Sequence, residues 1–190
     1  MKETAMNGSG KYAYGELKKG MYKSPFLGYK CKAPKGGVFS MEDDLLRMSG
    51  INPLLREKDP MEFHNSYFTG KAVMDMFLTL STGSSVAVYW QYYPAGGHGS
   101  MDVAQLVAER QIKVNQEKGW NPEDMVCSVE IMGRLFKGVS SSYVNDWGYE
   151  EYIKEYFYEC TNGMITVTLK MSRLNLSDAD LLLKIIKKMY

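Results

Sequence analysis

Cysteine is scarce in this chain. Its 190 residues hold three, Cys31, Cys127 and Cys160. The count is odd and no two are close in sequence, which excludes a CxxC zinc motif and a dense disulfide framework. Cys127 lies within Met125–Val129 and Cys160 ends an aromatic run. Both read as buried free thiols, and a disulfide would need a compartment outside the cytosol. Histidine is scarcer, with only His64 and His98. An excess of either charge is also missing, because 23 basic residues face 22 acidic ones for a net charge of +1. That balance carries no footprint for DNA or RNA, and no polybasic run marks an anionic membrane surface. No apolar stretch nears the roughly 20 residues needed to cross a bilayer as a helix. Met1–Lys11 is small, polar and glycine-containing, with no apolar segment of the signal-peptide kind. Two readings follow: a cytoplasmic protein, or an extracellular or cell-surface one whose export signal has been removed. A lipid anchor on the full-length protein is compatible with the second.

Hydrophobic residues are plentiful enough, at 45%, for one soluble domain with a core. Residues 1–20 read as a flexible lead-in and residues 21–190 as a single domain. The stretch from Tyr22 to Pro34 has a strand–turn–strand pattern, with Tyr29, Cys31 and Ala33 alternating with Lys30 and Lys32. Ser40 is placed to cap a short helix carrying Leu45, Leu46 and Met48, ended by Gly50. Residues 52–70, with Pro53 and Pro60, read as a loop with room for one helical turn. Ala72–Leu80 and Val86–Tyr92 read as a hairpin around Ser81–Ser85. The second strand is apolar on both faces and so belongs in the middle of a sheet. Ser100 is placed to cap the longest helix, from Met101 to about Glu117, with Val103, Leu106, Val107, Arg110 and Val114 on its buried face. A meander follows: Met125–Met132, Arg134–Lys137, Val139–Val144, Tyr152–Cys160 and Met164–Ser172.

One stretch supports two readings. Tyr149, Tyr152, Ile153, Tyr156, Phe157 and Cys160 fall at helical spacing. Aromatic enrichment and the Asn162-Gly163 turn before Met164–Leu169 favour a strand from about residue 152. Ser177 opens a last helix with Leu181, Leu182, Ile185, Ile186 and Met189 on its apolar face. The order of hairpins and helices predicts an α+β domain with an antiparallel sheet and flanking helices.

This order, and several phrases, resemble the PsbP/Mog-like superfamily, especially the small surface lipoproteins of Gram-positive bacteria with this fold. The phrases are Tyr22–Tyr29 followed by Ala33-Pro34-Lys35-Gly36, the helix opening Ser40–Leu45, Val73–Phe77 with Ser84–Val88, and Phe136-Lys137-Gly138. Such relatives place a tryptophan after the Pro-x-Gly, where this chain has Gly37-Val38. The resemblance implies an α/β/α sandwich around an antiparallel sheet. It implies a binding or assembly factor, as in photosystem subunits, a regulator of the small GTPase Ran and secretion chaperones, with no shared active site.

The residues themselves offer little chemistry. Neither histidine has a nucleophile elbow beside it, and no HExxH occurs. No catalytic residue, metal ligand or cofactor site is therefore assigned. A hydrolase using His98 is the reading from a different class. Glu42-Asp43-Asp44 reads as a favourable first-turn charge cluster rather than a cation site. Pro94–Ser100 lacks the GK[ST] ending of a phosphate loop. Aromatic residues are the most suggestive feature. Trp90, Tyr92, Tyr93, Trp147 and Tyr149, with His98, form the candidate surface for a protein partner. A noncatalytic binding module of a bacterial surface or exported protein is the expectation, with a cytosolic chaperone or adaptor as the alternative. The sequence leaves the partner and the oligomeric state open.

Overall fold

Alternating apolar residues in the second half of the chain form a long antiparallel meander in the computed structural model. It describes residues 14–92, 102–160 and 162–189. The strands are β1 (Glu16–Lys18), β2 (Met21–Ser24), β3 (Tyr29–Lys32), β4 (Val38–Phe39), β5 (Ala72–Thr79), β6 (Ser85–Tyr92), β7 (Asn121–Pro122), β8 (Cys127–Ile131), β9 (Arg134–Val144), β10 (Glu150–Cys160), β11 (Gly163–Ser172) and β12 (Ile186–Lys188). The helices are α1 (Glu42–Met48), α2 (Leu55–Lys58), α3 (Pro60–Ser66), α4 (Val103–Glu117) and α5 (Asp178–Ile185). The larger sheet runs β4-β5-β6-β11-β10-β9-β7, with β8 also on β9, and the smaller runs β1-β2-β3-β12. Every pairing is antiparallel.

Pleating assigns alternate residues to two cores. Val86, Val88, Trp90, Ile165, Val167 and Leu169 face the main core, which is closed by Tyr22, Tyr29 and Cys31 of the small sheet, Leu46 of α1, and Ala179 and Leu182 of α5. Val139, Phe157 and Met164 face the other way, against Ala104 and Ala108 of α4. Helices thus lie on both faces of the large sheet, as an α/β/α sandwich requires. Strand β6 is central, between β5 and β11. The ambiguous stretch is strand β10, beginning at Glu150 and held by β9 and β11. Its Tyr156 and Phe157 enter opposite cores, which no single helical stripe could do.

Several local expectations are corrected. Glu16–Lys18, inside the expected lead-in, pairs with β2. Ser40 makes no cap; Met41 occupies that position with no side-chain bond. The region expected as a loop holds both α2 and α3, the latter capped by Asp59, which accepts from the Glu62 N–H at 2.9 Å. Helix α4 begins at Val103 and is capped by Asp102, which accepts from the Gln105 N–H at 3.0 Å. Its buried residues are Ala104, Ala108 and Asn115, while Leu106 is exposed. Small side chains let the helix approach the sheet, a signal that a search for large apolar residues passes over. Asn115 then donates to Ser141 Oγ at 2.9 Å and Glu155 Oε2 at 3.1 Å, fastening α4 to β9 and β10.

The two pieces expected around Gly138 are one strand. A Cβ there would lie 2.4 Å from the Tyr156 ring, so only glycine lets β9 continue past that ring. The last helix stops at Ile185, and Ile186–Lys188 crosses to pair with β3.

Candidate interaction surfaces

The turn joining β9 to β10 is built on Asn145. Its Oδ1 accepts from the N–H groups of Trp147 and Tyr149, both at 3.0 Å. The Asn145 N–H donates to the Tyr149 carbonyl, and the Gly148 N–H donates to the Asn145 carbonyl, both at 2.9 Å. Gly148 supplies the left-handed residue, at φ +81°. Asn145 Nδ2 also donates to Glu151 Oε1 at 3.2 Å. Glu151 accepts from the Tyr143 hydroxyl and pairs with Lys170 at 2.8 Å. Burial opposes its ionised form, yet bonds from Lys170, Tyr143 and Asn145 outweigh that and hold its carboxyl below the usual range. Tyr143 stacks on Trp120 with centroids 4.7 Å apart. The braced turn presents Trp147 at 80% exposure and Tyr149 at 69%, beside exposed Val144. A turn whose backbone is fixed before contact loses little backbone entropy on binding.

The remaining candidates separate. Trp90 is 1% exposed and belongs to the main core, edge-on to Phe26 at 5.0 Å and to Phe68 at 5.7 Å. It is not a surface residue, because its strand is central and its side chain points inward. Tyr92 is half-buried and edge-on to Phe68 at 5.2 Å. Tyr93 and His98 lie outside the described residues. Gly163 pairs with both Tyr92 and Cys160, whereas Glu150 opens β10 at the Trp147 turn. The two aromatic groups therefore sit at opposite ends of β10, on the order of 30 Å apart. Of the six named residues, Trp90 and Tyr92 meet with ring centroids 6.0 Å apart at the core end, and Trp147 and Tyr149 share one exposed turn.

A second grouping was not legible in the sequence. Tyr22, Ser24, Tyr29, Cys31 and Ile186 point inward from the small sheet and are buried, so pleating turns Lys23, Lys30 and Lys187 outward. Register sets these three side by side, Lys23 opposite Lys30 and Lys30 opposite Lys187. A half-open groove of about 730 Å³ here is lined by Lys30, Lys32, Lys35, Lys184 and Lys187. A neighbouring concavity of about 340 Å³ is lined by Lys18, Lys19 and Lys23 with Glu16, and the two meet at Met21.

The chemistry-bearing residues are otherwise committed or scattered. Glu42 and Asp43 pair with Arg56, at 2.8 and 3.3 Å, and Asp44 with Arg47 at 3.2 Å. His64 lies on α3 rather than in a loop, its ring 5.0 Å from that of Phe68. Among the described residues no three His, Cys, Asp or Glu side chains gather as metal ligands. All three thiols are free, and Cys127, expected to be buried, is exposed. It sits on β8, on the outer side of β9. Burial pushes the Cys31 thiol up to about 12 and the Cys160 thiol up to about 11. Ellman's reagent is therefore expected to label one thiol rapidly in the native protein, lost in Cys127→Ser, with Cys31 reacting only on unfolding. Rapid labelling of Cys31 would contradict this arrangement.

No family model and no curated protein matches the chain. Among solved structures, the solution structure of cyanobacterial PsbP (CyanoP) from Synechocystis sp. PCC 6803 is similar, with a TM-score of 0.50 and 14% identity. The match covers 91% of this chain and 94% of the other. The chain has a PsbP-like fold, an α+β sandwich on an antiparallel sheet.

Proposed function

We propose that the chain is a noncatalytic binding module that docks a protein partner through the β9–β10 turn. One observation carries this reading: Trp147 and Tyr149 are exposed on a turn already fixed by Asn145. Interface hot spots favour Trp and Tyr, and truncating one costs about 2 kcal/mol or more, roughly a 30-fold loss of affinity. The resemblance to small surface lipoproteins of Gram-positive bacteria supports a place on the outside of a bacterial cell. Three free thiols favour a second reading, a cytosolic adaptor in a reducing compartment. Fractionation of the native full-length protein separates the two.

The test compares partner capture by the native protein, the Trp147→Ala/Tyr149→Ala variant and a control, Leu174→Ala, whose residue is also exposed. The double variant is expected to lose about 30-fold or more in affinity for whatever the control retains. Affinity unchanged within about twofold would rule the turn out as the docking site.

A further inference from the structure

We propose that the outer face of the small sheet docks on an anionic phospholipid bilayer. Eight lysines line its two adjoining concavities: Lys18, Lys19, Lys23, Lys30, Lys32, Lys35, Lys184 and Lys187. Glu16 is the carboxylate among these lining residues, and it pairs with Lys18 at 2.5 Å. The chain as a whole carries +1, so the rest of the molecule is net negative. Such separation orients the protein in the field of a charged plane.

The lining chemistry selects the occupant. It contains no arginine and no aromatic residue. Protein interface cores are rich in Trp, Tyr and Arg and depleted in Lys. Single-stranded nucleic acid needs rings on which bases stack, and bidentate recognition of a fixed phosphate needs guanidinium groups. Hydrated ammonium groups on flexible stems suit a layer of mobile headgroups, which attracts through its surface potential. Each lysine near such a layer adds about fivefold in affinity.

The test is co-sedimentation of the full chain with vesicles of phosphatidylcholine, or of phosphatidylcholine with about one-third phosphatidylglycerol. The runs are made at about 50 and about 500 mM salt. Sedimentation is expected with the anionic vesicles only, and it falls to the neutral-vesicle level at high salt. Lys32→Glu/Lys184→Glu/Lys187→Glu is expected to lose more than about 100-fold, with circular dichroism unchanged. Should that variant misfold, Lys32→Gln/Lys35→Gln/Lys184→Gln leaves β12 untouched and is expected to lose roughly 100-fold. Equal binding to both vesicle types, or undiminished binding by the folded variants, would overturn the proposal. Tighter binding to polyglutamate or duplex DNA than to the anionic vesicles would overturn it too, assigning the face to an acidic macromolecule.

Discussion

Asp75→Ala is expected to lower the unfolding free energy by about 3 kcal/mol, a drop of roughly 6–12 °C in the thermal midpoint of a domain this size. Asp75 is 0% exposed and sits where the β5–β6 register shifts, between Met74 and Met76. The bulge turns a carboxylate into the space between the two sheets. Tyr29 of the small sheet donates to Asp75 Oδ2 at 2.5 Å, and the Tyr22 hydroxyl donates to the Asp75 carbonyl. Tyr22 in turn accepts from the Gly15 N–H at 3.0 Å. Hydrogen bonds thus join the start of the described chain to the large sheet through otherwise apolar packing. Alanine would remove the acceptor of a buried hydroxyl, which costs more than the net value of the bond itself. In combination with Tyr29→Phe the cost should fall short of the sum of the two single changes. Urea unfolding reads both, and a loss below about 0.5 kcal/mol for Asp75→Ala would show that this bond does not join the sheets.

Raising the pH past about 10 is expected to unfold the protein. Tyr14, Tyr22, Tyr67 and Tyr156 are all pushed up from the ordinary phenol value, in each case chiefly by burial. Neighbouring groups add to the shift: Tyr67 for Tyr14, Asp75 for Tyr22, Glu42 for Tyr67 and Cys127 for Tyr156. Below about pH 10 these phenols keep their protons folded or unfolded, and their contribution is intact. Above it the unfolded chain releases protons that the folded chain holds, so stability falls as pH rises. Tyr22, Tyr67 and Tyr156 are each 4% exposed, and three such groups together steepen the fall toward about 4 kcal/mol per pH unit. Absorbance at 295 nm and far-ultraviolet circular dichroism should show the last phenols ionising only as the fold is lost. Complete ionisation with a native spectrum would refute the buried cluster.

The meander and its Asn162-Gly163 hairpin were legible because the signals are local: alternation, a turn dipeptide and β-prone bulk. The helical spacing from Tyr149 to Cys160 misleads because strand β10 feeds two cores, so apolar residues occur on both sides of it. Ile186 and Met189 extend the apolar stripe of α5 in the sequence. The pairing of Ile186 with Cys31 spans most of the chain and leaves no local trace. The lysine face is hidden for the same reason, since its members come from residues 18–35 and 184–187. Trp90 shows the limit of composition. An aromatic at a strand end is equally suited to a surface and to a core, and only the position of the strand decides. Trp147 and Tyr149 stood out in the sequence as aromatic residues, and the bracing of their turn by Glu151, Tyr143 and Lys170 comes from neighbouring strands.

Strand β12 also sets a schedule for folding. During synthesis β1, β2 and β3 leave the ribosome before β12, and the strand that completes their sheet follows about 150 residues later. At about 5–20 residues per second that interval lasts on the order of ten seconds. Throughout it the β3 edge offers unpaired backbone groups to any passing strand. Lys30 and Lys32 lie on that edge, and lysine is a residue that discourages edge-to-edge pairing. Two of the ammonium groups that line the groove of the finished fold thus stand on the edge that is open in its unfinished form.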